Sequence, residues 1–297
     1  MNNVKLLGAV AARTLCRVSL QQCGVPTCVV GVSRRWAHTQ TAVQPLTLTT
    51  QENGIRTICL NDPRKRNALS LAMLKTLYNE LTRDQEELRV IILKAKGPVF
   101  SAGHDLKELR GTENKEFHEE VFSTCSNVMN VIQDLPVPVI AQVHGLATAA
   151  GCQLVATCDI AVVSENSQFA TPGVNVGLFC TSPGVAVGRA VPRKVALDML
   201  FTGHPISAQD ALLHGLVSKV VPDDQVEEET MKIAERVCDT SQRVIALGKA
   251  SFYAQMALEK KNAYRFAEKI MVENLGLEDG KEGITAFIQK RKPEWTK

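Results

Sequence analysis

Two stretches of the chain combine a strand end with a turn of small residues, where the backbone itself can do chemistry. In the first, residues 101–105 (S-A-G-H-D) follow the apolar pair Val99-Phe100. In the second, residues 147–151 (A-T-A-A-G) follow an apolar run that begins at Pro138 and precede a predicted helix. Small side chains let another group approach the backbone closely, and a helix that begins there presents free N–H donors. Two such turns side by side would aim two donors at one oxygen atom, although tight packing of the helix on a sheet is the alternative.

The elements around these turns predict an α/β protein. Residues 46–50 and 55–60 alternate apolar and polar side chains around Asn53-Gly54, which predicts a hairpin. Residues 89–95 form a β-branched and aliphatic run that is typical of a strand buried on both faces. Strands that alternate with helices imply a parallel sheet with right-handed crossovers. Helices are predicted over residues 71–83, 113–133, 193–201, 229–238, 243–258, 262–275 and 281–292, and a last strand over 216–221.

Composition and charge exclude several classes of protein. Hydrophobic residues make up 45% of the 297 and charged residues 22%, which is ordinary globular composition, and no apolar run approaches the roughly 20 residues of a membrane span. We therefore expect a soluble protein. The nine cysteines form no CxxC pair and the six histidines no HxxxH pair, so the sequence predicts no metal site.

The N-terminal segment, residues 1–36, has the composition of a mitochondrial transit peptide. It carries no acidic side chain and five basic ones, which accounts for the positive net charge of the whole chain. Two of them, Arg13 and Arg17, interrupt the apolar run that a secretory signal would need. A disordered tail without a targeting role is the other alternative. The remainder of the chain is close to neutral, which argues against a concentrated basic surface for nucleic acid.

Several blocks, in the same order, resemble the crotonase (enoyl-CoA hydratase/isomerase) family. They are F-S-A-G-H-D-L-K-E-L at 100–109, P-V-I-A-Q-V-H-G at 138–145, G-C-Q-L-V-A-T-C-D-I at 151–160, F-A-T-P-G at 169–173 and H-G-L-V at 214–217. The resemblance runs from about Leu46 to Trp295. It implies a spiral of ββα units over residues 46–222, followed by a helical trimerisation region of the same domain over residues 223–297. A homo-oligomer, either a trimer or a hexamer, is therefore expected.

The resemblance also implies what the two turns bind. In this family the backbone N–H groups that map to His104 and Ala150 form an oxyanion hole for the enolate of an acyl-CoA thioester, with no resident cofactor or metal. The imidazole of His104 either takes part in the chemistry or packs at the rim of the pocket. Coenzyme A contacts map to Arg64, Lys65, Arg66, Ala68 and Leu106, and, from a neighbouring subunit, to Phe287 and Lys290. Solvated basic segments are the alternative for residues 64–66 and 287–290.

The family pattern fails at two positions. Hydratases of this family use two glutamates to hold and activate water, and the corresponding residues here are Gln153 and Gly173. An amide does not exchange a proton at neutral pH and glycine has no side chain, so we expect hydration to be inefficient. Glu108 is the nearest other carboxylate along the sequence, although a place on a helix surface is its simpler role. Residues 179–184 also form a longer connection than is usual in the family.

Three functional hypotheses follow. The first is a mitochondrial acyl-CoA-binding protein of fatty acid and lipid metabolism that is a weak or inactive enoyl-CoA hydratase. The second is an active acyl-CoA enzyme, an isomerase, a hydratase or one with thioester chemistry, that relies on the oxyanion hole. The third is RNA binding, which one mitochondrial branch of the family shows. RNA binding would call for a basic first helix, but Lys75 and Arg83 are diluted there by acidic residues.

Overall fold

The computed structural model describes residues 44–111 and 114–296, and the predicted transit peptide at residues 1–36 lies outside the described residues. The strands are β1 (Thr47–Glu52), β2 (Ile55–Leu60), β3 (Val90–Ala95), β4 (Val99–Ser101), β5 (Val139–Val143), β6 (Leu146–Thr148), β7 (Ile160–Ser164), β8 (Gln168–Ala170), β9 (Ile206–Ser207) and β10 (Lys219–Val221). The helices are α1 (Leu71–Thr82), α2 (Leu106–Arg110), α3 (Lys115–Asp134), α4 (Ala150–Thr157), α5 (Thr181–Ala190), α6 (Arg193–Thr202), α7 (Ala208–Leu213), α8 (Val226–Cys238), α9 (Gln242–Met256), α10 (Lys260–Gly276) and α11 (Glu278–Gln289).

Within the described ranges the strands form two sheets, of six and four strands. The larger sheet has the order β1-β2-β3-β5-β7-β10 and the smaller one the order β4-β6-β8-β9. Among the strand pairs of the described residues, only the β1-β2 hairpin and the β8-β9 pair are antiparallel. Because β4 and β6 are parallel neighbours, their C-terminal ends meet at one edge of the smaller sheet. The topology thus brings together the two turns that the sequence singles out.

The central strands are buried on both faces, as their β-branched sequences predict. Along β3 the side chains of Ile91 and Leu93 join one apolar cluster, with α1 and α3, while Val90 and Ile92 join a second, with α8. This division follows from the period of two along a strand. Residue Ser70 begins α1 as predicted, since its hydroxyl oxygen accepts a hydrogen bond from the N–H of Met73 (3.2 Å).

Several predicted boundaries in the C-terminal half are wrong by a few residues. The last strand begins at Lys219 rather than at 216, because the chain first closes α7 with a hydrogen bond from the N–H of Leu216 to the carbonyl of Ala211 (2.8 Å). The last helix ends at Gln289 rather than at 292, because Lys290 adopts a left-handed conformation (φ 56°). In the part of the chain that the structure describes, no helix is both long and apolar enough to cross a membrane.

A buried ion pair ties α9 to the core. The ammonium of Lys249 donates to a carboxylate oxygen of Asp159 (2.7 Å) and to the carbonyls of Ile132 (2.7 Å) and Val137 (2.8 Å). The side chains of the pair are only 7% and 15% exposed. The same carboxylate accepts the N–H of Val139 (2.7 Å) and the hydroxyl of Tyr253 (2.8 Å). All three protons of the Lys249 ammonium therefore have an acceptor.

Candidate functional site

The two turns touch each other. Gly103 has a φ of +83°, and a Cβ atom placed on it would lie 2.9 Å from the Cβ of Ala149 and 3.1 Å from the backbone nitrogen of Ala150. The first distance is shorter than real Cβ contacts and the second is tighter than most of them, so glycine at this left-handed position lets the turns approach this closely. The glycine of the second turn, Gly151, lies equally close to the first turn, with its Cα against the carbonyl of Ser101. The backbone N–H groups of His104 and Ala150 consequently belong to neighbouring segments.

These two N–H groups have no acceptor among residues 44–111 and 114–296. Ala150 is the first residue of α4, where an N–H has no partner within the helix. In contrast, the N–H group of the residue directly before each of them has an acceptor. That of Gly103 donates to the hydroxyl of Ser101 (3.2 Å) and that of Ala149 to the carbonyl of Ala170 (2.9 Å). A ligand oxygen between the turns would satisfy both free donors.

The backbone is strained just before the second donor. Ala149 has a φ of 50° and a ψ of −119°, a conformation that residues with a side chain rarely adopt. Its hydrogen bond to Ala170 holds this geometry, which in turn fixes the peptide that carries the N–H of Ala150. The strain therefore lies at the peptide that would bind a ligand.

We expect Ala149→Gly to raise the free energy of unfolding by about 1 kcal/mol, because glycine relieves the left-handed strain at more than its own entropic cost. Urea unfolding of the variant measures this. The control is Ala147→Gly in the adjacent strand β6, where the same change should destabilise. A drop in stability for both variants alike would contradict the strain at Ala149.

Asn67 fastens the loop before α1 to the first turn, and the sequence gives no signal for it other than the residue type. It is fully buried and has a φ of 49°, which asparagine tolerates better than most residues. Its amide nitrogen donates to the carbonyls of Lys96 (3.0 Å) and Val99 (2.8 Å), and its amide oxygen accepts the N–H of Asp62 (2.9 Å). Its carbonyl accepts the hydroxyl of Ser101 (2.8 Å).

An apolar cavity of about 480 Å³ lies in front of the two turns. His104, Ala149 and Ala150 form one part of its wall. The remaining wall is largely apolar and comes from α2, α3 and the segment before α5, including Leu106, Leu109, Phe122, Val176, Leu178 and Phe179. A cavity of this volume and lining suits a hydrophobic chain whose polar end reaches the free N–H groups.

The imidazole of His104 is held in one orientation. Its Nδ1 lies 3.2 Å from the carbonyl oxygen of Leu69, and because a carbonyl only accepts, Nδ1 carries the proton. Burial lowers the pKa of His104, so the ring is neutral at neutral pH. Nε2 is buried and has no hydrogen-bond partner in the described part of the chain. The ring packs edge-on against Phe122, with centroids 5.1 Å apart.

Neither Gln153 nor Gly173, the residues at the positions of the expected acids, carries a carboxylate. Only one of the two lines the cavity. Gln153 is 5% exposed, does not line the cavity, and its Oε1 has no partner among the described residues. Gly173 does line the cavity, but the chain folds back onto it. A Cβ at this position would lie 2.7 Å from the carbonyl oxygen of Leu178 and 2.8 Å from Sγ of Cys180. That sulfur also accepts the N–H of Gly173 (3.3 Å). The segment that the sequence predicts as a long connection thus fills the space beside Gly173, and α5 begins within it, at Thr181.

A basic groove of about 870 Å³ lies beside the first turn. Its lining includes four cationic residues, and the sequence predicts coenzyme A contacts for only the first three: Arg64, Lys65, Arg66 and Lys107. Ala68 lines the same groove, and Leu106 the apolar cavity. Lys65 pairs with Asp105 (3.5 Å), while Glu108, also in the lining, accepts the N–H of Leu71 at the start of α1 (3.1 Å). Glu108 therefore caps a helix and does not line the cavity.

Two other groups of predicted residues lie away from these cavities. Phe287 is 85% exposed and Lys290 ends α11, and neither lines the cavity or the groove, so one chain does not bring them to the site. The cations that would bind RNA on α1 are paired with acids. Lys75 contacts Glu120 (2.6 Å) and Arg83 contacts Glu80 (2.8 Å).

Comparison with known proteins places the chain among enoyl-CoA hydratase-like proteins. A family model described as enoyl-CoA hydratase/isomerase matches residues 50–297. Enoyl-CoA hydratase domain-containing protein 3, mitochondrial, of Xenopus laevis is 62% identical over 85% of this chain and 86% of its own. The crystal structure of the human protein of that name is 62% identical, with a TM-score of 0.82 over 84% of this chain and 100% of its own. An enoyl-CoA hydratase structure from Mycobacterium smegmatis is 46% identical, with a TM-score of 0.82 over 85% and 99%.

Proposed function

Because this chain belongs to the enoyl-CoA hydratase/isomerase family and has its crotonase fold, we propose that it binds acyl-CoA thioesters and hydrates 2-enoyl thioesters weakly or not at all. The observation that carries this proposal is the pair of free N–H groups, of His104 and Ala150, in the wall of an apolar cavity that has no carboxylate in its described lining. Acyl-CoA is the expected ligand, and no resident cofactor is proposed.

Binding requires a site for each part of the thioester. The two N–H groups would accept the thioester carbonyl oxygen, and donors fixed in advance stabilise the charge of an enolate without reorganisation. The apolar cavity would hold the acyl chain. Beside the first turn, the groove with Arg64, Lys65, Arg66 and Lys107 would receive the phosphates of coenzyme A, since clustered cations favour phosphate.

Hydratases of this family use two carboxylates as the acid and the base around a water molecule, and residues 153 and 173 supply neither carboxylate. Losing one positioned acid or base costs about 10² to 10⁴ in rate, and Gln153 and Gly173 replace both. Leu178 and Cys180 lie against Gly173, so this segment leaves no space for a carboxylate side chain at residue 173. Water activation would need both the acid and a different course of this segment.

Placing a glutamate at residue 173 is therefore expected to destabilise the protein without restoring hydratase activity. In Gly173→Glu the new Cβ must displace the carbonyl of Leu178 and the sulfur of Cys180, which should lower the free energy of unfolding by about 1–3 kcal/mol. The double variant with Gln153→Glu should gain no hydratase activity. Urea unfolding and an enoyl-CoA hydration assay measure the two effects. A stable, active double variant would show that the glutamates alone are missing.

A mitochondrial location is supported by the relatives, since the Xenopus, mouse and human proteins at 62% identity are all named as mitochondrial. The proposed role is accordingly in mitochondrial fatty acid and lipid metabolism. The acid-free, basic composition of residues 1–36 fits a transit peptide for the matrix.

The C-terminal helices support a homo-oligomer. The apolar side chains of α9 and α10 are not buried, and those of Phe252, Met256, Tyr264 and Val272 are each at least 57% exposed. So large an exposed apolar surface is typical of an interface. A trimer or hexamer would cover it, and would allow Phe287 and Lys290 to approach the coenzyme A of a neighbouring subunit.

Calorimetric titration of the purified chain with butyryl-CoA, crotonyl-CoA and longer acyl-CoAs tests the proposal. We expect saturable binding of each, with affinity rising as the chain lengthens into the apolar cavity and little difference between saturated and 2-enoyl chains. Free coenzyme A should bind more weakly because it lacks the thioester carbonyl. No binding of any thioester would refute the proposed function.

A further inference from the structure

We propose that the loop over residues 173–181 makes the site selective for long acyl chains, with straight chains of on the order of ten carbons preferred over short ones. This inference rests on the proposed function, since it places an acyl-CoA thioester in the apolar cavity. It names the substrate class within the acyl-CoAs. The specificity-determining residues are Val176, Leu178 and Phe179, which the proposed function otherwise leaves without an individual role.

The loop has a course that its own hydrogen bonds hold. The carbonyl of Gly173 accepts the N–H of Leu178 (2.9 Å), and the N–H of Gly173 donates to the sulfur of Cys180 (3.3 Å). Between these contacts the chain turns at Gly177, which has a φ of +76°. Because both bonds lie within the loop, its side chains are presented to the cavity without support from a distant segment.

Three apolar side chains of this loop line the cavity although each is about half exposed: Val176, Leu178 and Phe179. Exposed apolar side chains that group around a cavity are typical of a binding site. The ring of Phe179 also lies against that of Phe201 on α6, with centroids 6.0 Å apart, and Phe201 is itself exposed. The apolar wall therefore continues past the cavity, where the end of a long chain can lie.

Helix α2 separates the acyl chain from the charged part of the thioester. Leu106 and Leu109 line the apolar cavity, whereas Lys107 and Glu108 of the same helix line the basic groove. With the phosphates of coenzyme A in the groove and the thioester oxygen at the N–H of Ala150, the acyl chain is left with the apolar cavity. The loop is part of the wall that this chain meets.

The volume of the cavity sets the length of the chain. It measures about 480 Å³, and a methylene group takes up roughly the 30 Å³ of a molecule of liquid water. A four-carbon chain therefore leaves most of the cavity unfilled, while a chain of on the order of ten carbons occupies most of it. Each methylene that is fully removed from water tightens binding by about fourfold, and by less beside a half-exposed wall.

Calorimetric titration of the full chain with butyryl-CoA and with decanoyl-CoA tests this inference. We expect decanoyl-CoA to bind at least about 30-fold more tightly than butyryl-CoA. Leu178→Ala shortens one side chain of the wall, and Val176→Thr keeps the size of another but adds a hydroxyl group. In each variant the ratio of the two affinities should fall by at least about threefold.

The matched control is Val185→Thr, because Val185 on α5 is exposed to nearly the same extent as Val176 (54% and 59%) but does not line the cavity. It should keep the wild-type ratio. Equal affinities of the wild type for the two thioesters, or an unchanged ratio in folded Leu178→Ala and Val176→Thr, would overturn this inference and leave the proposed function intact. If neither thioester bound the wild type, the proposed function itself would be refuted.

Size-exclusion chromatography of the same samples tests the other occupant of the loop, a second copy of this chain. We expect Leu178→Ala and Val176→Thr to keep the oligomeric state of the wild type. A change of oligomeric state together with an unchanged affinity ratio would overturn the inference, because the loop would then contact a neighbouring subunit rather than the acyl chain.

Discussion

Replacing Lys249 by alanine is expected to lower the free energy of unfolding by about 3–5 kcal/mol, because it leaves Asp159 as an uncompensated charge inside the protein. The ammonium also satisfies the carbonyls of Ile132 and Val137, which mark the end of α3 and the approach to β5. Burial lowers the pKa of Lys249, because a charged ammonium is less stable away from water. The variant should therefore loosen the attachment of α9 to the core.

Urea unfolding measures the loss, and Lys232→Ala is the control. Lys232 also pairs with carboxylates, of Glu228 and Glu229, but its side chain is 55% exposed, and exposed pairs contribute little. The double variant Lys249→Met/Asp159→Asn should lose less stability than Lys249→Ala, because it removes both charges. Equal losses for Lys249→Ala and Lys232→Ala would show that the buried pair has no special weight.

Replacing Gly103 by alanine is expected to weaken acyl-CoA binding by on the order of 10- to 100-fold. The change adds a side chain to a residue at φ +83° and forces apart the two turns, whose donors would share one oxygen. Losing one or both of these hydrogen bonds removes about 1–3 kcal/mol of binding free energy. Affinity for free coenzyme A should change much less, because the basic groove is built from other residues.

Calorimetry with butyryl-CoA and with free coenzyme A separates these effects. Gly188→Ala is the control, since a Cβ at this position in α5 has no atom within 4 Å. It should bind both ligands like the wild type. If Gly103→Ala kept the full affinity for butyryl-CoA while remaining folded, the thioester carbonyl would not lie between the two turns.

The sequence was sufficient for the fold class and the family, because both depend on local patterns. The continuous aliphatic run of β3, which is typical of a strand buried on both faces, and the cap at Ser70 are properties of neighbouring residues, and the structure follows them. The sequence blocks that resemble the family occur along this chain in the same order as in the family. The end of α11 was not predicted because it depends on a single left-handed residue, Lys290. The start of β10 was not predicted because it depends on the hydrogen bond that closes α7.

The site could be read from the sequence only in part. The small residues of the two turns mark where backbone donors are free, but the contact between Gly103 and Ala150 depends on the pairing of β4 with β6. Asn67 joins segments about 30 residues apart through backbone carbonyls, which no local pattern reveals. The closing of the chain over Gly173 depends on Cys180, whose role has no sequence signature. Long-range packing is what the residue types alone do not encode.

Whether the chain hydrates a bound enoyl thioester is tested by a time course of enoyl absorbance with the chain saturated by crotonyl-CoA, beside a hydratase of the same family that keeps both glutamates. We expect bound crotonyl-CoA to be hydrated at least about a hundredfold more slowly than by that hydratase, because neither residue 153 nor residue 173 can exchange a proton with water. Hydration at a comparable rate would refute the proposed weak or absent hydration, since it would require an acid and a base in a cavity whose described lining has no carboxylate.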